Sequence, residues 1–383
     1  MLIERVNVYN VSLPFTGDFS HSRRSGPFVN NIIVELIAHE GEIRGYGESA
    51  PRMYVTGENE EDARKTVCHF IERDNFPWAL NDVSQIWDFV DHLPNRKEYN
   101  AAICAIEMAL LDALGKTQNR YIVEYFSKDF YTDKVYYGAA VTLTHQEKVK
   151  RMCEFIRMLG LRHLKIKMSQ DFQQNRETME TVSSVFREGC EFRIDPNGIW
   201  DRDMAFQHIP LIEKYKVKVV EEPMADDIPG FAQFAKTMRS MDVLLMACQS
   251  APSLKDVERI IKNGYYNMVN VKLSRSGGFR RSLKIIELLR NKGLSFQIGA
   301  NLGESGILSA AGRVLSLLCC DAKYYDGSYD QFILKENITT EHVSFGPAGE
   351  AGPLDGPGLG VNVNSQSLER LSYSSTRITI KRP

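Results

Sequence analysis

Residues 161–168 read Leu161-Arg162-His163-Leu164-Lys165-Ile166-Lys167-Met168, with basic and apolar side chains alternating from His163 onward. A period of two puts His163, Lys165 and Lys167 on one face of a strand and Leu164 and Ile166 on the other. Short apolar runs of the same kind recur along the chain: VYYGAAVTL before it (135–143), then FRIDPNG (192–198), VKVVEEP (217–223), VLLMACQS (243–250), MVNVKL (268–273) and LSFQIGAN (294–301). Amphipathic segments separate them, among them QEKVKRMCEFIRMLG (146–160), NRETMETVSSVFREG (175–189), SLKDVERIIKNG (253–264) and RRSLKIIELLRNKG (280–293). Most of the later runs start roughly 25–29 residues apart, the length of one strand–helix unit with short loops. Seven such strands, with an eighth near KYYDG (323–327), predict an α/β fold, a closed TIM-like (β/α) barrel rather than a short open sheet.

The flanks read differently. Residues 1–45 alternate as antiparallel strands, VNVYNVSL and NNIIVELIAH, with a hairpin turn at HEGEIRG. Between the first two strands, FTGDFSHSRRSG (15–26) reads as a long basic loop, a length uncommon unless functional or disordered. Helical pattern takes over from Glu58 to Lys116. One helix is expected to open at Thr56 before acidic residues, and another, NAAICAIEMALLDALGK, to end with Gly115 as its cap. After about residue 335 the chain is rich in Gly and Pro, with a late strand at STRITIKR (375–382). The expected organisation is an α+β capping domain over 1–130, a barrel domain over 131–335, and a tail over 336–383 packing on the capping domain.

Composition narrows the class. The 383 residues carry 47 Lys plus Arg against 49 Asp plus Glu, for a net charge of −2. Such balance gives no electrostatic reason to expect nucleic acid or an anionic membrane as partner. The 43% apolar and 25% charged fractions exclude wholesale disorder. No apolar run approaches the ~20 residues of a membrane span, and Glu4 and Arg5 interrupt what a secretory segment would need. Seven irregularly spaced cysteines do not make a disulfide framework, so a reduced, cytoplasmic protein is expected.

Functional groups of such barrels lie at the carboxyl ends of the strands. Those ends carry Lys165 and Lys167, Asp195 and Asn197, Glu221 and Glu222, Cys248 and Gln249, Lys272, and Glu304. Leu164 and Ile166 can pack against the surrounding helices, so the lysines should look inward. Lysines crowded together disfavour one another's charge, which lowers a pKa toward the range of a general base. Asp195 and Glu221 offer hard oxygen ligands suited to Mg²⁺. Lys272, four strands after Lys167, should face it across the barrel. A metal on one oxygen of a substrate carboxylate, with a lysine on each face of its α-carbon, would allow proton abstraction and enolate stabilisation.

In order and spacing, LKIKM, RIDPNG, VVEEP and VNVKLSRSGG resemble the enolase superfamily, and most nearly its muconate lactonizing enzyme subgroup. That subgroup includes cycloisomerases, o-succinylbenzoate synthases and dipeptide epimerases. GYGESAPRMYVTGE, AAICAIEMALLDALGK and GPGLGV extend the resemblance over nearly the whole chain. It implies a modified (β/α)7β barrel with a capping domain built from both ends of the chain. It also implies that Lys167 and Lys272 are the acid/base pair, that Lys165 tunes Lys167, and that Asp195 and Glu221 are two ligands of a Mg²⁺ cofactor. Asn197 and Glu304 would contact or support a small-molecule carboxylate substrate, and the barrel would assemble as a homo-oligomer.

Two departures stand beside the match. Where the family ends its fifth strand in Ala-Asp-Glu-Ser, with the Asp as third metal ligand, this chain has Ala247-Cys248-Gln249-Ser250. Mg²⁺ prefers oxygen to sulfur, so the outcome is a weak site completed by water, a softer metal on a Cys248 thiolate, or no metal. Where dipeptide epimerases carry Asp-x-Asp after the eighth strand to hold the substrate amino group, only Asp326 is present. Arg24, with His21 and Arg23 in the basic loop, would meet an anionic substrate group.

Other motifs reduce to structure. Gly45-Tyr46-Gly47-Glu48-Ser49-Ala50 fits a dinucleotide expression, but Pro51 follows and no amphipathic helix begins there, so a turn in the capping sheet is expected. Cys319 and Cys320 lie in an apolar run and read as core. The sequence thus predicts an isomerase that removes the α-proton of a carboxylate substrate, a racemase or epimerase or else a cycloisomerase. The alternative is a non-catalytic binding protein that kept the barrel after its metal site lost a carboxylate.

Overall fold

The alternation at the N-terminal end forms a long hairpin. β1 (Ile3–His21) and β2 (Arg24–Ala38) run antiparallel, from Ile3 opposite Ala38 to His21 opposite Arg24. The computed structural model describes residues 1–21, 24–186 and 189–380, with side chains over the same spans apart from 17–25. The stretch expected as a long loop, residues 15–26, is therefore strand wherever it is described. β3 (Ile43–Ser49) pairs only with Ile32–Ala38 of β2, so the far part of the hairpin is a two-stranded ribbon. A ribbon outside a sheet needs no apolar face, and the usual strand signal is missing there for that reason.

Helices α1 (Glu60–Ile71), α2 (Val83–Asp91) and α3 (Asn100–Gln118) cover this sheet. α1 is capped by Asn59, which accepts from Asp62 N at 2.9 Å, rather than starting at Thr56. The Thr56 hydroxyl instead donates to the Arg52 carbonyl, one turn before the helix. α3 continues past Gly115 and stops at Asn119, which takes the left-handed conformation at φ 51°. Gly115 is small for another reason: a Cβ there would sit 2.8 Å from Gly358 Cα of the closing tail. Likewise Gly45 and Gly47 belong to strand β3, not to a turn, and a Cβ at either would overlap α3 at Ala113 or Ala105. Their pattern is a packing surface.

After the two-residue strand β4 (Val135–Tyr136), eight parallel strands follow in sequence order: β5 (Ala139–Val141), β6 (His163–Lys167), β7 (Glu191–Asp195), β8 (Val219–Glu221), β9 (Leu244–Ala247), β10 (Met268–Val271), β11 (Ser295–Ile298) and β12 (Tyr324–Tyr325). A parallel bridge between Tyr137 and Tyr325, with Gly138 N donating to Tyr325 O at 2.9 Å, closes the ring. Leu164 and Ile166 are fully buried on the opposite face from Lys165, as their alternation requires. β13 (Glu350–Ala351) pairs with β4, and β14 (Ser372–Thr379) joins the N-terminal sheet beside β1. Cys319 is buried but Cys320, past the end of its helix, is exposed.

Two carboxylates tie sheet and helices to the barrel. Glu48 accepts from Ser305 N at 2.9 Å, Ser305 Oγ at 2.6 Å and Leu308 N at 2.8 Å, at the start of helix Gly306–Leu317. Glu107 of α3 accepts from Phe279 N and from Arg280 N at 2.9 Å, at the start of helix Gly278–Asn291. Each acid meets the unsatisfied N–H groups of a helix N-terminus. Gly277 and Gly278 hold φ values of 89° and 88°, and a Cβ on Gly278 would fall on the Glu107 carboxylate. The Gly-Gly pair of the sequence motif is therefore required by both backbone and space.

Candidate active site

The barrel interior is built in layers by strand register. Lys165 stands opposite Arg193, Lys167 opposite Asp195, and Asn270 opposite Gln297. In the lower layer Lys165 Nζ donates to Asp326 Oδ2 at 2.7 Å and lies 3.7 Å from Glu221 Oε2. Arg193, wholly buried, donates through Nη2 to Asp326 Oδ1 at 2.8 Å and through Nη1 to Gln297. Gln297 Nε2 donates to Asp326 Oδ2 at 3.0 Å. Burial alone would push the Asp326 pKa up, but Arg193 and Lys165 hold it well below the usual carboxylate range.

Above this floor Lys167 Nζ donates to Asp195 Oδ2 at 2.5 Å and to Asn197 Oδ1 at 3.0 Å. Asn197, at φ 58°, turns its own N–H back to Asp195 Oδ1 at 2.9 Å. Glu221 is fully buried; its Oε1 accepts from Asn270 Nδ2 at 2.8 Å, while Oε2 has no hydrogen bond to a described residue. Burial acts against its charge, yet Lys165, Lys272 and Lys167 together lower its pKa. Three lysines from two strands thus act on one carboxylate. Lys272 ends β10, four strands from β6 in the ring of eight, and its amine has no hydrogen bond to a described residue.

One expectation is reversed here. The lysine cluster was expected to depress a pKa, but that of Lys165 is raised. Burial opposes its charge, and the carboxylates of Asp326, Glu221 and Asp195 outweigh burial.

The remaining expected residues divide. Glu304 is buried in the loop between β11 and helix Gly306–Leu317, its Oε1 accepting from Asn301 N at 2.5 Å, and burial pushes its pKa up to about 8. Asp326 belongs to the interior floor just described. Arg24 has strand backbone, and its side chain lies outside the described residues, as does all of Arg23. Asn270, Arg193 and Gln297 are site residues that the motif reading passed over. Asn270 and Arg193 carried a signal: each precedes a strand-end site residue, Lys272 or Asp195, by two and so shares its face.

Cys248 is buried at the end of β9. Its Sγ lies 3.1 Å from Arg275 Nη1 and 3.8 Å from Asn270 Nδ2. Burial pushes the thiol up to about 11, with Lys272 acting in the other direction, so it is neutral at ordinary pH. Next to it, the Glu222 carboxylate accepts from Cys248 N at 2.5 Å, Ser250 Oγ at 3.1 Å and Tyr266 OH at 3.3 Å.

A closed parallel barrel with lysines and carboxylates at its strand ends matches a defined class. Residues 147–367 match the enolase C-terminal domain-like family, and the chain belongs to it. It is 24% identical to an L-Ala-D/L-Glu epimerase of Clostridium acetobutylicum, over 84% of this chain and 90% of that protein. It is 23% identical to an N-succinyl-L-Arg/Lys racemase of Bacillus cereus, over 97% of this chain and 98% of that protein. The crystal structure of the N-succinyl Arg/Lys racemase from Bacillus cereus superposes with a TM-score of 0.86 at 22% identity, covering 99% of this chain and all of that one. A dipeptide epimerase from Cytophaga hutchinsonii, complexed with Mg and the dipeptide D-Ala-L-Val, superposes at 0.83 and 21%, with coverages of 99% and 100%.

That Mg complex makes the donor set here a pointed question. Asp195 and Glu221 present hard oxygens, and Oε2 of Glu221, which accepts no hydrogen bond from a described residue, suits a cation. The third corner does not. A protonated thiol is a poor ligand for Mg²⁺, and a guanidinium stands 3.1 Å behind the sulfur. Among the described residues no three His, Cys, Asp or Glu side chains converge in a way that could hold a metal ion. The residues present do not fit a divalent cation held by three protein ligands.

Proposed function

We propose that this chain is an isomerase that inverts the α-carbon of an N-acylated amino acid by moving a proton between Lys167 and Lys272. The observation that carries the reading is the placement of the two lysines. They end strands four apart in a ring of eight, and both act on the buried Glu221 carboxylate. A substrate α-carbon held between them has one amine on each face. One lysine, uncharged, takes the α-proton; the opposite ammonium returns a proton to the other face, and the amines exchange roles for the reverse direction. Asp195 and Asn197 fix Lys167 by two hydrogen bonds, so its lone pair is aimed by β6 and β7 rather than by a loop. Charge developing on the substrate carboxylate as the proton leaves falls among ammonium groups already in place.

Substrate class follows from the floor. A free substrate ammonium would need an acid at its side, and Asp326 is engaged by Lys165 and Arg193. Ser328, two residues on, accepts from Arg313 Nη2 at 3.0 Å instead of offering a second acid. An amide nitrogen needs no such acid. The Bacillus cereus relative acts on N-succinylated amino acids, and this chain resembles it over nearly its full length. Incubation in D₂O with N-acyl amino acids and with dipeptides tests the reading. Deuterium is expected at the α-carbon of N-acyl substrates in preference to dipeptides, and is expected to vanish in Lys167→Ala/Lys272→Ala. Absence of exchange across both substrate classes would leave a binding protein as the account of this barrel.

A further inference from the structure

Arg275 follows Lys272 by three residues and is 1% exposed. Its Nη1 donates to the Cys248 carbonyl at 2.6 Å and to Cys248 Sγ at 3.1 Å, and its Nη2 donates to the Asn270 carbonyl. Its Nε has no partner among the described residues, and no carboxylate there forms an ion pair with it. A buried guanidinium faced by carbonyls and a thiol lacks the anion that usually accompanies such a charge. The nearby acid, Glu222, is engaged by Cys248, Ser250 and Tyr266.

The same excess holds for the whole mouth. Asp326 is shared by Arg193 and Lys165 in the floor. Counted together, five cationic side chains, Arg193, Lys165, Lys167, Lys272 and Arg275, face four carboxylates, Asp326, Asp195, Glu221 and Glu222, while the Glu304 carboxyl is buried with its pKa pushed up to about 8. A divalent cation would enlarge this surplus; an anion would remove it. Cys248 and Gln249 stand where two acids would have reversed the balance, and Gln249 Oε1 is itself buried with no hydrogen bond to a described residue.

We propose that this site takes its anionic substrate without a resident divalent cation, the fixed positive charge of Arg275 beside Cys248 standing where a metal's charge would act. The inference rests on the reading of the mouth as an acid–base centre for a carboxylate substrate. Lys272 and the opposed Lys167 face the ligand, while Arg275 is a positioning residue that acts through Cys248 and Asn270.

Mn²⁺ titration followed by electron paramagnetic resonance tests it on the intact protein. Native protein is expected to show no stoichiometric site at millimolar Mn²⁺, and Cys248→Asp to gain one site at least about tenfold tighter. One equivalent of Mn²⁺ bound by native protein and released by Glu221→Gln would overturn the inference. So would a Cys248→Asp protein that binds no better than native. Should Cys248→Asp fail to fold, α-deuteration by native protein in EDTA decides: exchange that persists supports the inference, and exchange restored only by Mg²⁺ ends it while leaving the isomerase reading intact. No exchange under any condition would end that reading instead, and the Mn²⁺ titration would still decide this one.

Discussion

Lys165 on β6 reaches across the first barrel strand to place its amine 2.7 Å from Oδ2 of Asp326. With Arg193 on the other oxygen, a single carboxylate neutralises two buried cations. Asp326→Asn keeps the shape and leaves both cations without their anion. Loss of about 3–5 kcal/mol of unfolding free energy is expected, measured as a lower urea midpoint. The acid limb follows the same group. Its folded pKa is depressed, so its contribution is present above the unfolded value near ~3.9 and is lost as pH falls below it. Native protein should lose stability in acid more steeply than Asp326→Asn.

Glu58 predicts the opposite pH behaviour. It is buried before α1, its Oε1 accepts from Ala101 N at 3.1 Å, and Oε2 has no described partner. Burial pushes its pKa up to about 9, so the folded protein keeps a proton that the unfolded chain releases near ~4.3. That contribution is complete below the unfolded value and disappears as pH rises through about 9. Glu58→Gln should flatten the decline across this window by up to ~1.4 kcal/mol per pH unit. Urea unfolding at successive pH values reads the difference.

Gly278→Ala should separate backbone strain from chemistry. The substitution places a Cβ at φ 88° and onto the Glu107 carboxylate that anchors α3 to helix Gly278–Asn291. A cost of at least ~2 kcal/mol is expected from the left-handed backbone and the displaced anchor together. A thermal midpoint equal to that of native protein would show that the anchor is slack.

Much of the barrel was legible because its signals are local. The alternation through Leu164 and Ile166 and the recurring strand–helix interval need no partner to be read, and Lys165, Asp195 and Glu221 inherit their inward direction from them. What escaped depends on meetings between distant segments. Asp326 reads as a free acid until ring closure brings β12 beside Tyr137 and Arg193 within reach. Gly115 reads as a helix cap until Gly358 is seen against it, and Gly45 reads as a turn until α3 is. The sequence shows the lysines only beside one another, so it predicts mutual repulsion, whereas the neighbours of Lys165 in space are acids. Residues 15–26 lacked alternation because a ribbon asks for none. Cys248 stands out in the sequence as a departure from the motif, but Arg275, three residues past Lys272, had to be placed in space before its bearing on that cysteine was visible.

The two-lysine account is tested most directly by stereochemistry. Each enantiomer of an N-acyl amino acid would be incubated separately in D₂O with Lys167→Ala and with Lys272→Ala, and α-deuteration followed by NMR. Each variant should exchange one enantiomer only, without inversion, and the two variants should choose opposite enantiomers, since each retains the base on one face. Exchange of the same enantiomer by both variants, or inversion that survives either substitution, would contradict it.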